Sequence, residues 1–196
     1  MTMRENRLAT KPGTDEPGWL TTGERVVYQG RMTVVERNVE LPDGSRTRFE
    51  VDTSAPFAVA VLIVLPGDEI VLTRQYRYPI DQWIYDLPAG GGNLGESPID
   101  AAIRECEEET GLVAGSIEPL LTFSPNPGRS SWLVHLFIAT AVDEGTADLS
   151  DPAEQVRVVR MPLAELDALI RAGGIVDPTL LIARTMATAR GHLPSL

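Results

Sequence analysis

A glycine-rich loop runs directly into an acidic helix in the stretch GGGNLGESPIDAAIRECEEETGL, residues 90–112. Ser97 and Pro98 are a typical helix cap and first helical residue, and Gly111 is a typical left-handed end. These signals predict a helix over residues 98–110. Like charges three and four positions apart on a helix repel each other by about 0.2–0.5 kcal/mol per pair. The ECEEET segment therefore needs either a solvated face or nearby cations.

Helical periodicity sorts the side chains of this helix into faces. At about 100° per residue, the predicted buried face consists of Ile99, Ala102, Ile103, Cys106 and Thr110. Glu105, Glu108 and Glu109 share a second face, whereas Glu107 points elsewhere and is expected to be solvated. Three carboxylates on one rigid face beside a glycine-rich loop form a hard-oxygen site suited to Mg²⁺ or Mn²⁺. For ECEEET taken alone, an exposed acidic face is the competing interpretation.

The spacing of these residues resembles the Nudix box. Gly90 is followed after five residues by Glu96, and after seven more by RECEEETGL, residues 104–112. The box has Gly, Glu, Arg-Glu, an aliphatic residue, Glu-Glu, Gly and an aliphatic residue at those offsets. Cys106 replaces the first aliphatic residue, as a small buried side chain without a redox role. Agreement at all fixed positions by chance is on the order of 10⁻⁸ for average composition.

The resemblance implies a set of metal ligands. Glu105, Glu108 and Glu109 bind divalent metal ions, which offset their mutual repulsion, and the backbone carbonyl of Ala89 is a further ligand. The expected ion is Mg²⁺, with Mn²⁺ as a substitute.

Three more residues of the box are expected to support this site. Arg104 orients a carboxylate and counts, with Glu105 and Glu109, among the expected catalytic residues. Glu96 supports the geometry of the loop and the helix. Gly90 has no side chain, so that the backbone can approach the metal ions closely.

The similarity extends over most of residues 24–190 and is closest to the ADP-ribose pyrophosphatase branch. The segments TRQYRYP and WIYDLPAGG and the β-rich N-terminal region carry it. Pro127 stands about fifteen residues past the box, where this branch has a proline; the diadenosine-polyphosphate branch has a tyrosine slightly further on. Two positions differ from the branch: Asp86 replaces a glutamate before LPAG, and NPGRSSW lacks an acidic residue after the proline.

Substrate contacts follow from the same resemblance. Arg77 matches an arginine that contacts the pyrophosphate, a role suited to its bidentate geometry; an exposed arginine at a strand end is the alternative. The expected substrate-binding residues are Arg77, Arg74, Gly90, Tyr28 and Arg129, with Trp19 and Trp83 as further candidates for stacking on adenine or for packing.

The general base is expected on a loop before the last strand. By resemblance it is Glu154, in DPAEQVRVV. The residues alone leave Asp143, Glu144, Asp148 and Asp151 as equal candidates, together with a solvated loop that has no catalytic role.

The implied reaction is the metal-dependent hydrolysis of the pyrophosphate bond of a nucleoside diphosphate sugar. ADP-ribose, which would give AMP and ribose 5-phosphate, is the preferred candidate. Two alternatives remain open at this point. One is a Nudix hydrolase of another nucleoside diphosphate derivative, such as a GDP-sugar or a dinucleotide, and the other is a non-catalytic domain that senses a nucleotide sugar.

The expected fold is of the α/β (α+β) class, a Nudix α/β/α sandwich with a mixed sheet and a small N-terminal antiparallel β subdomain. Residues 1–18 are predicted to be a flexible tail, residues 19–56 the β subdomain, and residues 57–196 the Nudix hydrolase domain. The apolar run FAVAVLIVL suits a strand buried on both faces. WIYDLPAGG is interpreted as a strand that ends in a glycine-rich loop. PLAELDALIRAG and DPTLLIARTMATARG are predicted helices.

Charge and composition limit the partners. The net charge of −11 argues against binding to nucleic acid or to an anionic membrane. The sequence has no apolar run long enough to span a membrane and no signal-peptide pattern, so a cytoplasmic location is expected. The resemblance implies a homodimer in which the residue 19–56 subdomain helps to build the interface and the substrate pocket.

Overall fold

The computed structural model describes residues 18–147 and 156–196. The chain forms two compact units. The small unit contains residues 18–57 and 122–134, and the large unit contains residues 58–121, 135–147 and 156–196.

The small unit is built on a three-stranded antiparallel sheet. Its strands are β1 (Leu20–Gln29), β2 (Thr33–Glu40) and β3 (Arg46–Asp52), in the order β1-β2-β3. Opposite charges face each other across the strands: Arg25 contacts Glu36 at 2.9 Å, and Arg37 contacts Glu24 at 2.6 Å. Such exposed cross-strand pairs set the register more than they add stability. The predicted N-terminal antiparallel sheet is confirmed, and its first strand begins at Leu20.

Apolar side chains remain on the surface of this small sheet. Val26, Val27 and Tyr28 of β1 are exposed, Tyr28 by 57%, and Trp19 packs on Phe49 with ring centroids 5.7 Å apart. A small three-stranded sheet cannot cover both of its own faces. The small unit therefore leaves an apolar surface along β1.

The large unit contains the principal sheet. Its central path runs in the order β10-β5-β4-β9-β8, with β6 paired to β5 and β7 paired to β4. The strands are β4 (Ala58–Leu65), β5 (Glu69–Arg77), β6 (Gln82–Asp86), β7 (Ala89–Gly91), β8 (Leu112–Phe123), β9 (Val134–Glu144) and β10 (Val156–Pro162).

The apolar run predicted to be a strand covered on both faces is β4. Every residue from Val59 to Ile63 is at most 1% exposed, and both α1 and α3 pack on this strand. Continuous Val, Ile, Leu and Ala suit a strand in this position because neither face contacts water.

The segment predicted to be a glycine-rich loop after WIYD has a different structure. Residues 89–91 form the short strand β7, which pairs with β4 in the register Ala60↔Ala89 and Val59↔Gly90. The backbone of Val61 also donates to the carbonyl of Pro88 at 3.0 Å. The pairing replaces an irregular loop because the central strand β4 offers it backbone hydrogen-bonding groups.

Three α-helices accompany the sheet: α1 (Pro98–Thr110), α2 (Leu163–Arg171) and α3 (Pro178–Ala189). The predicted bounds of α1 are confirmed, because Ser97 Oγ accepts from the backbone of Asp100 and Gly111 adopts a left-handed φ of 69°. Within residues 18–147 and 156–196, no helix is long and apolar enough to cross a membrane.

The predicted buried face of α1 is wrong in part. The buried residues are Ala101, Ala102, Cys106 and Glu109, whereas Ile99 is exposed. The helix packs against both β4 and β7. Its buried face is therefore turned toward β7 and includes Glu109. Helical periodicity alone does not predict this buried face, because it assigns every carboxylate to the solvent-exposed side.

Two residues of the predicted acidic loop before the last strand belong to a strand. Asp143 and Glu144 are the last residues of β9 and are exposed there. Asp148, Asp151 and Glu154 lie outside the described residues.

A buried ion pair joins the two C-terminal helices. Arg184 of α3 is 0% exposed and donates to both oxygens of Asp167 in α2, at 2.7 and 2.8 Å. It also donates to Thr188 and, at 3.0 Å, to the carbonyl of Pro194. The pair is fully satisfied, as a buried charge requires, and it connects α2, α3 and the C-terminal segment.

Replacing only the arginine leaves a buried carboxylate without its cation. We expect Arg184→Met to lower the free energy of unfolding by about 3–5 kcal/mol, measured by denaturant unfolding. Thr185→Ala, at an exposed position of the same helix, is the control and should change it little. The double variant with Asp167→Leu should recover much of the loss, because no unpaired charge remains. A loss below about 1 kcal/mol for Arg184→Met would contradict this role.

Candidate active site

The first part of the site is the contact between β7 and the C-terminal half of α1. Glu109 Oε2 accepts a hydrogen bond from the backbone N–H of Ala89 at 3.0 Å. A Cβ atom added at Gly90 would lie 2.2–2.3 Å from the carboxylate atoms of Glu105, a distance that no side chain tolerates. A side chain at residue 90 would therefore displace the Glu105 carboxylate from its present position beside the backbone of β7.

Arg104 is the centre of the hydrogen bonds around these carboxylates. Its Nε and Nη2 donate to the two oxygens of Glu96, at 2.9 and 3.1 Å. Its Nη1 donates to Glu105 Oε1 at 2.7 Å and to Glu108 Oε2 at 2.9 Å. Nη2 also donates to the carbonyl of Gly91 at 3.1 Å. One guanidinium thus holds the loop, Glu96 and two glutamates of the acidic face together.

The acidic face is compensated from within the chain. Glu105 and Glu108 share the Nη1 group of Arg104, and Glu109 accepts from a backbone N–H group. Glu107 is not simply solvated, because its Oε1 accepts from the backbone of Thr146 at 3.4 Å. The charges that α1 brings together are therefore offset by an arginine and by oriented amides before any metal ion is considered.

The ion pair with Arg104 changes the acidity of Glu96. Hydrogen bonds from Arg104, and next from the backbone of Asn93, lower the pKa of Glu96 from 4.5 to about 2. The carboxylates around it raise the pKa of Arg104 further above its ordinary value, with Glu96 as the largest cause. Both groups stay charged at neutral pH.

Arg77 lies at the end of β5 in the same large unit. Its Nη2 donates to Asp86 Oδ2, and its side chain is 45% exposed. Asp86 also accepts from the backbone of Leu87 at 2.9 Å. Arg77 is thus anchored at a buried carboxylate while part of its guanidinium stays accessible, an arrangement suited to binding an anion.

Asp177 is a residue that the sequence analysis did not single out. It caps α3 by accepting from the backbone of Leu180 at 2.6 Å. Burial, and next the charge of the hydrogen-bonded Asp86, raise the pKa of Asp177 to about 6. The sequence shows only an ordinary Asp-Pro helix start, and no spacing rule connects residue 177 to residue 86.

The aromatic and remaining arginine candidates of the large unit are engaged in packing. Arg74 lies over the ring of Tyr85, 5.6 Å from its centroid. Arg157 lies 4.9 Å from the ring centroid of Trp83, and Tyr76 packs on the same ring.

Other expected site residues lie elsewhere. Tyr28, on β1, and Arg129, whose carbonyl accepts from the backbone of Asp52 at 2.7 Å, belong to the small unit. Trp19 is also in the small unit. Glu154, the expected base, lies outside the described residues.

Comparison with known proteins agrees with this geometry. The NUDIX domain matches residues 55–180. The methanol dehydrogenase activator of Bacillus methanolicus is 34% identical over 160 residues, which cover 80% of this chain and 85% of that protein. The ADP-ribose pyrophosphatase of Bacillus subtilis is 32% identical over 160 residues, with the same coverage of each chain.

The chain belongs to the Nudix hydrolases.

A solved structure supports the fold of this Nudix hydrolase. The crystal structure of an ADP compounds hydrolase superposes with a TM-score of 0.71, at 24% sequence identity, and covers 92% of this chain and 100% of that one. The expected α/β fold with a separate N-terminal antiparallel sheet is confirmed.

Nudix hydrolases generally depend on a divalent metal ion, and the residues of this Nudix box fit one chemically. The donors are all carboxylates, which hard cations prefer, and the loop beside them lacks a Cβ atom at Gly90. Within the described ranges, however, no three acidic, histidine or cysteine residues are already arranged around one point. Arg104 lies between Glu105 and Glu108, so that these side chains must reorient to hold a metal ion.

Glu96 contributes stability that depends on pH. Its pKa is lowered in the folded chain, so the contribution is present above about pH 4.5 and is lost as the pH falls toward 2. We expect Glu96→Gln to lower Tm at neutral pH and to flatten the decline of Tm between about pH 5 and pH 2. Thermal unfolding across this range measures both effects. Glu118→Gln, at an exposed site on β8, is the control, and an equally steep decline in Glu96→Gln and wild type would contradict the assignment.

Proposed function

We propose that this Nudix hydrolase cleaves the pyrophosphate bond of a nucleoside diphosphate sugar, with ADP-ribose as its preferred substrate and AMP and ribose 5-phosphate as products. The observation that carries the proposal is the carboxylate cluster of α1, held by Arg104 against the glycine of β7. The similarity to the ADP-ribose pyrophosphatase of Bacillus subtilis over 80% of the chain supports the choice of substrate.

The metal ligands in this proposal are Glu105, Glu108, Glu109 and the carbonyl of Ala89. When bound, divalent ions, Mg²⁺ or Mn²⁺, supply positive charge against the pyrophosphate and acidify the attacking water. The carboxylates of α1 would provide the negative charge that such ions need, and Arg104 donates to Glu105 and Glu108.

The chain's own groups perform the remaining steps. The accessible part of the Arg77 guanidinium binds the pyrophosphate and stabilises the leaving phosphate, with Arg74 and Arg129 as further phosphate contacts. Glu154 takes the proton from the attacking water. Gly90 lines the site, and Tyr28 stacks on the adenine.

The domain organisation is part of the same proposal. Residues 1–18 form a tail, residues 19–56 form a dimerisation subdomain, and residues 57–196 form the catalytic domain. The exposed apolar surface of β1 supports a homodimer. A cytoplasmic location stays a prediction from the sequence.

A different nucleoside diphosphate derivative is the second candidate. Asp86 stands where the ADP-ribose pyrophosphatase branch usually has glutamate, and it binds Arg77 directly. Because aspartate is one methylene shorter than glutamate, we infer that this contact alters the sugar end of the substrate pocket and thereby the preferred nucleotide.

A substrate panel separates these candidates. Purified protein with Mg²⁺ is incubated with ADP-ribose, GDP-mannose, other nucleotide sugars and dinucleoside polyphosphates, and the products are resolved by chromatography. AMP from ADP-ribose at the highest kcat/KM supports the proposal. A higher kcat/KM with another nucleotide would make that compound the preferred substrate in place of ADP-ribose. No turnover of any compound would favour a non-catalytic sensor.

The carboxylate cluster should make activity dependent on metal. We expect chelation to abolish turnover and Mg²⁺ or Mn²⁺ to restore it. Glu109→Gln should lose most of the rate yet stay folded, because the amide oxygen still accepts from Ala89. Glu107→Gln on the same helix is the matched control and should stay close to wild type. Near-normal turnover by Glu109→Gln, in steady-state assays, would refute the metal assignment.

In the proposed mechanism Glu154 is the general base, a role that depends on the basicity of its carboxylate and not on metal or substrate binding. We expect Glu154→Gln to lower kcat by about 10²–10⁴-fold with KM and metal affinity little changed. Glu144→Gln and Asp151→Asn are the matched controls and should be mild. If Asp151→Asn proves the more damaging change, the base is Asp151 and the metal cluster stands.

The β1 surface should form an interface between two copies. We expect light scattering to show a dimer at micromolar concentration, and Val26→Asp to weaken it. Leu196→Asp introduces the same charge at another exposed apolar position and should leave the dimer intact. A fully active monomer at that concentration would remove this part of the proposal.

A further inference from the structure

One carboxylate connects two segments of the small unit that are distant in sequence. Asp52, the last residue of β3, is half-buried, and its Oδ2 accepts a hydrogen bond from the indole Nε1 of Trp132 at 3.2 Å. Its Oδ1 accepts from the backbone of Ser54 at 2.9 Å and from the hydroxyl of the same serine. The two oxygens therefore have different partners: Oδ1 closes the turn after β3, and Oδ2 binds the segment of residues 126–132.

The backbone of Asp52 holds the same segment. Its N–H donates to the carbonyl of Arg129 at 2.7 Å, and its carbonyl accepts from the backbone of Ser131 at 3.1 Å. These two bonds form a parallel bridge between Asp52 and Ser130. The N–H of Arg129 donates to the carbonyl of Asn126 at 3.0 Å. Both backbone groups of Arg129 are thus engaged, while its side chain is exposed.

The segment NPGRSSW, residues 126–132, has no acidic residue of its own, and Asp52 brings a carboxylate to it from β3. Burial raises the pKa of Asp52, but the hydrogen bonds from Ser54 and from Trp132 lower it by more, to below its ordinary value. The carboxylate is therefore charged at neutral pH. A charged acceptor makes a stronger hydrogen bond than a neutral one, so the contact with Trp132 is a firm attachment of the segment.

We propose that Asp52 is a positioning residue for Arg129: it fixes Trp132 through its carboxylate and the Arg129 backbone through its own N–H, and so presents the Arg129 guanidinium to a phosphate group of the substrate. This inference rests on the proposed function, in which Arg129 contacts a phosphate. Residues 129 and 132 belong to one short segment, so a fixed Trp132 limits the backbone conformations open to Arg129. A cation held in this way loses less freedom when the anion binds.

Conservative substitutions can isolate the side-chain contact. In Asp52→Asn the amide oxygen still accepts from Ser54, but the amide nitrogen then faces the indole N–H of Trp132, and two donors cannot bond. Trp132→Phe removes the donor from the other side. Asp43→Asn is the matched control, because Asp43 closes the same kind of turn by accepting from the backbone and the hydroxyl of Ser45, at 2.9 and 2.6 Å, in the exposed connection between β2 and β3.

The first measurement is steady-state hydrolysis of ADP-ribose with Mg²⁺, together with Tm for each variant. Asp52→Asn and Trp132→Phe should each raise KM about three- to tenfold, with kcat within about twofold, because loss of ground-state binding appears in KM. Asp43→Asn should match wild type. Wild-type KM in either folded variant, Asp52→Asn or Trp132→Phe, would overturn the proposal. So would an equal rise in KM for Asp43→Asn.

A double-mutant cycle shows whether the effect passes through Arg129. If Asp52 acts by positioning this guanidinium, Asp52→Asn should add little to the rise in KM that Arg129→Ala causes by itself, because the positioned group is already gone. Fold-changes in KM that multiply in the double variant would mean that Asp52 acts through another group, and the proposal would be overturned.

Limited digestion with trypsin separates a wrong position from a wrong substrate, because it needs no turnover. Failure of the wild type to hydrolyse ADP-ribose would refute the proposed function only. Trypsin cuts after Arg129 when its segment is released from β3, so mass spectrometry should show several-fold faster cleavage there in Asp52→Asn and Trp132→Phe than in wild type and Asp43→Asn. Cleavage after Arg31, which is exposed between β1 and β2, is the internal control and should not change. An unchanged rate of cleavage after Arg129 overturns the inference whatever the substrate is.

Discussion

The bidentate ion pair between Arg104 and Glu96 is the interaction on which the site depends. It attaches the loop after β7 to α1, and the same guanidinium holds Glu105 and Glu108. Without this cation, carboxylates on consecutive turns would repel each other and the loop would lose its anchor. Because the charges are offset inside the chain, the acidic helix can fold before a metal ion arrives.

The same interaction has a consequence for metal binding. If Glu105 and Glu108 hold a divalent cation, as proposed, the Arg104 guanidinium has to give up its present hydrogen bonds to them. The cluster is therefore prepared for a cation without being a finished coordination shell. This explains why the described residues include no ready-made metal group although the donor types are those that Mg²⁺ prefers.

Arg77 shows a second way in which the fold sets an electrostatic site. The proposed contact with an anionic substrate requires Arg77 to stay accessible and yet be held in place. Asp86 binds one part of the Arg77 guanidinium at a buried position, and the side chain of Arg77 stays 45% exposed. Arg104 is held by Glu96 from the loop after β7 and by two glutamates of its own helix, and Arg77 is held by Asp86 from the neighbouring strand β6.

Local signals in the sequence determined the bounds of α1, the buried strand β4 and the family, because caps, apolar runs and box spacing act within a few residues of chain. The tertiary structure decided the rest. Packing on β7 rotated the buried face of α1 to include Glu109, and pairing with β4 turned a predicted loop into a strand. Such contacts depend on how whole helices and strands pack, and neither helical periodicity nor motif spacing predicts them.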